Sequence, residues 1–201
     1  MLTERNVVDN LTSVSEWGDA KVLFPDGRLV RAHTILGIKH FERPEEWAWK
    51  ARIVAGGNNV RDTSGCKVVD AMATSAPATL DEVRIVLAVG ATQPSFCAIA
   101  ADVDAAYLHA ELVGPPHLLA LPREAWPPSW AKARYTCPVV RLRRTLPGLQ
   151  QSGPLWNEYC GRVLLGRGWS KVLDVAADIW VKHVGSTLVI LLVYVDDLLV
   201  V

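Results

Sequence analysis

A chain that runs LLVYVDDLLVV over residues 191–201 has to reconcile two adjacent carboxylates with what otherwise reads as buried strand. Asp196 and Asp197 repel one another when ionised, and withdrawing either from water costs roughly several kcal/mol unless a partner compensates. The conflict is eased if Val193-Tyr194-Val195 and Leu198-Leu199-Val200 are the arms of a β-hairpin with Asp196 and Asp197 at its tip. The acids then emerge at one end of the core. A plain polar turn is the simpler alternative, since Asp is common in turns. Favoured two-residue hairpin turns, however, need φ > 0 and prefer Asn-Gly or Asp-Gly. Two like charges flanked by bulky apolar residues are easier to explain with a cation beside them.

With 201 residues, 50% of them apolar, the chain can bury one substantial core. Lys plus Arg and Asp plus Glu balance at 21 each, so no net field draws the molecule to nucleic acid or membrane, and any basic site must be local. The four cysteines, Cys66, Cys97, Cys137 and Cys160, form no C-x-x-C pair, which argues against a zinc knuckle and suits a reduced, intracellular setting. The amino-terminal MLTERNVVDNLTS lacks the features of a signal peptide. The apolar run 188–201 is too short to span a membrane and is interrupted by the Asp pair, so no membrane role is expected.

Residues 1–36 are weakly periodic, with one turn at Phe24-Pro25-Asp26-Gly27 between apolar pieces that could pair as a hairpin. IKHFERPEEWAWKARIVA, from residue 38, suggests two strands around Glu42-Arg43-Pro44-Glu45, with Lys50 and Arg52 on one face. By itself that pair reads as a solvated strand face. Residues 58–78 read as a loop. TLDEVRIVLAVG then predicts a helix: Thr79 and Glu82 make a capping box, Leu80, Val83, Val86 and Leu87 an apolar stripe, and Gly90 the end. Residues 96–101 read as a short buried strand that gives way to a turn or short helix at Asp102. Residues 114–138, rich in proline, read as an irregular surface insertion. A basic strand then passes through a Pro-Gly turn into a helix capped by Ser152 or Gly153 and stopped by Gly166 or Gly168. Two strands joined at Gly185-Ser186 follow, the second apolar on both faces as a central strand should be.

Asp102, like the Asp pair, stands at the end of an apolar strand. If the two strands are neighbours, three carboxylates converge, which suits two divalent ions about 3.5–4 Å apart in in-line phosphoryl transfer. Mg²⁺ is the natural candidate, because it takes carboxylate oxygen and shares its shell with phosphates.

At this point the motifs become specific. YVDD at 194–197, LPGLQQSGPLW at 146–156, ADVDAAYLHAEL at 101–112 and WKARIVAGG at 49–57 occur in an order that resembles the reverse transcriptase of copia-type long-terminal-repeat retrotransposons. The resemblance implies an α+β fold: an incomplete right-hand polymerase, fingers and partial palm over 37–201, with an antiparallel palm sheet backed by the helices near 79 and 154, and a poorly defined extension over 1–36. It implies RNA-directed DNA polymerase activity, with dNTP as substrate on an RNA or DNA template with a primer. Asp102, Asp196 and Asp197 would bind two Mg²⁺, with Mn²⁺ as substitute, and the Val103 carbonyl would be an extra ligand. Tyr107 would stand beside the incoming sugar and exclude a 2′-hydroxyl, although an aromatic filling the core is the plainer reading. Lys50 and Arg52 would neutralise triphosphate charge, and Gln150 with Gln151 would lie along the nascent base pair, unless Gly148 merely makes the turn and the glutamines are solvated. Asp104 is expected to be a surface acid.

The chain departs from the family pattern at Gly56, where Lys is usual, at Pro147, where Tyr is usual, at Gln150, near which a basic residue is usual, and at Gly153, where the family's proline is displaced to Pro154. It also stops four residues after Asp197, before the rest of the palm, the thumb, ribonuclease H and integrase. Because duplex binding draws on many phosphate contacts, such a fragment is expected to be inactive alone. The alternative expectation is a decayed fragment with at most weak nucleic-acid binding.

Overall fold

The computed structural model describes residues 2, 5–69, 78–94, 96–172 and 178–201. In chain order they form β1 (Ser15–Glu16), α1 (Trp17–Leu23), β2 (Arg28–Lys39), β3 (Ala48–Ala55), α2 (Leu80–Ala91), β4 (Ile99–Asp102), β5 (His117–Ala120), α3 (Pro128–Lys132), β6 (Pro138–Leu142), α4 (Ser152–Gly166), β7 (Ser170–Lys171), β8 (Asp178–Val184), β9 (Thr187–Tyr194) and β10 (Asp197–Val200). This α+β arrangement divides into two units, Met1–Ala71 with Glu111–Ser152 and Met72–Ala110 with Gly153–Val201.

The first unit holds a sheet of order β1-β6-β5-β2-β3, antiparallel except between β2 and β5. β2 changes partner along its length: residues 28–31 pair with β5, and residues 32–39 pair with β3. β5 is buried throughout, with His117 leading the apolar run Leu118-Leu119-Ala120 that suits an interior strand. The 114–138 segment is therefore not a surface insertion. Its prolines flank a core strand and the short helix α3, whose Trp130 is buried with its indole N–H on the Leu11 carbonyl, 3.1 Å away. α1 packs Ala20, Trp17 and the adjoining Phe24 against Leu29, Leu118 and Val139. The 24–27 turn does form, with the Gly27 N–H 2.9 Å from the Phe24 carbonyl. It links α1 to β2, so the hairpin expected there is absent, and residues 1–36 carry β1, α1 and most of β2.

In the second unit the order is β4-β10-β9-β8-β7, antiparallel throughout. The alternation of β9 explains its two apolar faces. Ile190 and Leu192 join Ile179 and Val86 of α2, whereas Leu191 and Val193 join Trp180 with Cys160 and Leu164 of α4. The two helices thus cover opposite faces, and each fully buried aliphatic side chain contributes roughly 1.5–3 kcal/mol. The α2 capping box is present: the Glu82 N–H reaches the Thr79 hydroxyl and the Thr79 N–H reaches the Glu82 carboxylate. Leu80 is 64% exposed rather than part of the stripe. At about 100° per residue the inward arc centres on Val83, Val86 and Gly90, which leaves Leu80 on its flank.

The expected 96–101 strand is corrected to β4, which is exposed at every position because it is the sheet's edge. Of the expected 58–78 loop, residues 58–69 contain only the end of a single 3₁₀ turn (Gly57–Asn59) and isolated bridges, and residues 70–77 lie outside the described residues. Gly185-Ser186 joins β8 to β9, with Gly185 at φ +61°. Among the described residues no helix is long and apolar enough to cross a membrane.

All four cysteines are free thiols, Cys66 and Cys97 exposed and the other two partly buried. Burial, followed by the charge of Asp178, pushes the Cys160 thiol up to about 11. Deprotonation therefore favours the unfolded chain, and this contribution to stability is lost as pH rises above the ordinary thiol range. Iodoacetamide at pH 8 is expected to label Cys66 and Cys97 well before Cys160. Peptide mass mapping that finds Cys160 labelled as fast as Cys66 contradicts the buried α4 face.

Candidate functional site

Register brings the two acidic segments together. β10 lies between β4 and β9, so Asp197 stands directly across from Asp102 on one side and Tyr194 on the other. Directly opposed residues share a face with Cβ atoms about 4.5–5.5 Å apart, and like charges there are destabilising. Asp102, Asp196 and Asp197 are all exposed at this end of the sheet. Asp102 is the last residue of its strand, as expected.

The hairpin tip differs from expectation by one residue. Val195 and Asp196 make the two-residue turn, and Asp197 is the first residue of β10. The chemistry of Asp196-Asp197 suggested a symmetrical tip, but pairing of Asp197 with both neighbours holds it in the ladder. Val195 takes φ +56°, a region costly to a β-branched side chain by about 1–3 kcal/mol. Two hydrogen bonds hold that turn. The Trp156 indole N–H donates to the Val195 carbonyl at 2.8 Å, and the Val103 N–H donates to the Asp196 carbonyl at 2.7 Å. Each contributes on the order of 0.5–1.5 kcal/mol net.

Tyr107 lies on a 3₁₀ turn, Ala106–His109, entered through Ala105 at φ +53°. It is half-buried, and its phenol is pushed above the ordinary value by that burial first, then by the charges of Asp196 and Tyr194. Asp104 is exposed, as expected of a surface acid.

Among the described residues, no group of three or more His, Cys, Asp or Glu side chains is arranged to hold a metal ion. The donor chemistry nevertheless suits Mg²⁺: the ligands on offer are carboxylate oxygens, and two of them share a face through backbone pairing.

The remaining expected site residues belong to the first unit. Lys50 and Arg52 do share a face of β3, across from Gly37 and Ile35, and Lys39, opposite Ala48, adds a third cation to it. Gln150 and Gln151 are half-buried rather than solvated. They follow a tightly packed turn. Gly148 has φ +95°, a Cβ there would meet the Ala55 carbonyl at 2.1 Å, and a Cβ on Gly57 would meet the Gly148 carbonyl at 2.0 Å. The Ala55 N–H also donates to the Pro147 carbonyl at 2.8 Å. This fastens the Pro147-Gly148 turn to the end of the strand that carries Lys50 and Arg52.

Sequence reasoning missed Trp156. The available signal was a tryptophan at the start of an amphipathic helix, whose N–H must find a partner once the ring is buried.

A protein-family model described as Reverse transcriptase (RNA-dependent DNA polymerase) matches residues 27–201. No curated protein and no solved structure matches the chain.

Proposed function

The chain belongs to the reverse transcriptase (RNA-dependent DNA polymerase) family, and from that premise we propose that its second unit carries a nucleotidyl-transfer centre built on Asp102, Asp196 and Asp197. The observation that carries this reading is the direct pairing of Asp102 with Asp197 beside the Asp196 turn. Opposed exposed acids are unfavourable for folding by themselves and useful where a divalent ion binds. The three carboxylates would hold two Mg²⁺, or Mn²⁺ as substitute, with the Val103 carbonyl as a further donor. Bound there, the ions supply activation of an attacking hydroxyl and neutralisation of leaving-group charge.

The reaction is attack of a primer 3′-hydroxyl on the α-phosphate of a dNTP, with pyrophosphate leaving and an RNA or DNA template supplying sequence choice. Asp102 and Asp197, fixed by strand pairing, set the position of the ligands. Asp196 presents its carboxylate from the turn. Tyr107, whose phenol feels the charge of Asp196, would crowd the sugar and exclude a 2′-hydroxyl. In the first unit, Lys50 and Arg52 supply positive charge for the triphosphate, a point charge and a planar fork respectively, and Gln150 supplies a polar contact to the nascent pair. The YVDD, ADVDAAY, WKARIVAGG and LPGLQQSGPLW segments favour a copia-type retrotransposon origin and an incomplete right-hand polymerase, fingers and partial palm over 37–201.

Primer extension on an RNA template with Mg²⁺ tests the reading. Because the chain is expected to hold duplex weakly and not to sustain synthesis, the expected product is addition of one or a few nucleotides at saturating primer–template concentration, falling below detection in Asp196→Asn. Extension that persists unchanged in that variant overturns the assignment, as does a chain that neither extends primer nor binds Mn²⁺. The rival reading, a nucleic-acid-binding fragment without chemistry, draws on the side chains not forming a three-ligand group among the described residues. It predicts primer–template binding with no Mn²⁺ broadening of resonances near residues 102 and 196.

A further inference from the structure

Resting on the nucleotidyl-transfer reading, we infer that Trp156 is a positioning residue for Asp196: its indole N–H clamps a strained turn so that the acid projects beside Asp102 and Asp197. Three observations converge on it. Val195, immediately before Asp196, is held at φ +56°, which an unrestrained valine would leave. Its carbonyl receives the Trp156 N–H at 2.8 Å, and Trp156 itself is 3% exposed on α4. The next carbonyl, that of Asp196, is held by the Val103 N–H from the residue after Asp102. The turn is thus tied both to α4 and to the strand that supplies the third acid.

Confinement does not explain the placement of the indole. One flank of this region borders a cavity of about 270 Å³ lined by Val103, His109, Trp156, Tyr159, Leu191 and Val193, so the ring has room to shift if the bond is lost. Its orientation is instead fixed by stacking on Tyr159, with centroids 5.9 Å apart, and Tyr159 stacks in turn on His109 at 6.0 Å. His109 belongs to the same 3₁₀ turn as Tyr107. Phenylalanine would keep much of the packing at this position but has no donor. A tyrosine hydroxyl would sit at a different reach.

The test compares Trp156→Phe, Val195→Gly and the double variant in the intact chain, using amide hydrogen exchange and Mn²⁺ titration followed by paramagnetic broadening. Glycine holds positive φ without strain, so it removes the need for the clamp. In Trp156→Phe, exchange at the Val103 amide should rise about tenfold, the loss of one such hydrogen bond, while amides of β8 stay protected. Mn²⁺ affinity should fall by a similar factor. Adding Val195→Gly should restore both. Unchanged Val103 exchange, a uniform rise across β8 and β9, or no rescue by Val195→Gly overturns the inference. If Trp156→Phe does not fold, benzothienylalanine at position 156, which keeps the shape and replaces the N–H with sulfur, carries the same comparison. Absence of Mn²⁺ broadening in the unsubstituted chain overturns the functional reading instead, and the clamp is then decided by the exchange data alone.

Discussion

Gly148→Ala is expected to destabilise the first unit by at least about 3 kcal/mol, out of the 5–15 kcal/mol typical of a domain. Two costs add at this position. The backbone sits at φ +95°, which any L side chain resists, and the new Cβ would lie 2.1 Å from the Ala55 carbonyl oxygen, which is backbone and cannot rotate away. Gly65→Ala separates the two. Gly65 has nearly the same φ, +89°, but nothing within 4 Å of its Cβ position, so it should lose only the conformational part, roughly 1–2 kcal/mol. Urea titrations of both variants give the comparison. Equal losses would mean that the 147–148 turn does not approach β3 as described. Because the same contact fastens the Pro147-Gly148 turn, two residues before Gln150, to the end of the Lys50 and Arg52 strand, on the proposed reading a folded Gly148→Ala chain should also bind dNTP more weakly.

Asp102→Asn should move stability and activity in opposite directions. Without divalent ions, removing one of two directly opposed carboxylates relieves repulsion, so the melting temperature should rise slightly at low ionic strength and the gain should fade with added salt. With Mg²⁺, loss of a charged ligand should lower nucleotidyl transfer by at least about a hundredfold, on the scale of lost electrostatic stabilisation in such sites. The increase in melting temperature that Mn²⁺ confers on the unsubstituted chain should largely disappear. Differential scanning fluorimetry with and without Mn²⁺, alongside primer extension, checks both directions. A purely structural acid pair would show the stability gain with no change in the Mn²⁺ effect.

How much could be read in advance varies by element. The α2 start was legible because Thr79 and Glu82 satisfy each other's backbone within one turn. The β8–β9 hairpin was legible because glycine marks its turn, and the two apolar faces of β9 because side chains alternate. β5 was hidden by flanking prolines, since three apolar residues after a histidine are too few to distinguish a core strand from a loop. α1 was hidden because only Ala20 of its seven residues is fully buried. Among the site residues, Asp102, Asp196 and Asp197 stood out as acids beside apolar strands. Lys39 and Trp156 did not, because the face of one and the hydrogen bond of the other are set by partners on other elements.

Local sequence is enough to show which residues alternate between faces, where α2 begins, and that three carboxylates stand at the ends of apolar strands, because these properties depend on contacts within a few residues. That β4 is an exposed edge, that Asp197 pairs with Asp102 while Val195 takes the strained turn, and that Trp156 reaches its carbonyl all follow from the assembled sheet and its helices. Strand order and register are set by packing summed over the whole sheet. A one-residue slip there changes which acid lies at the bend and which lies in the ladder.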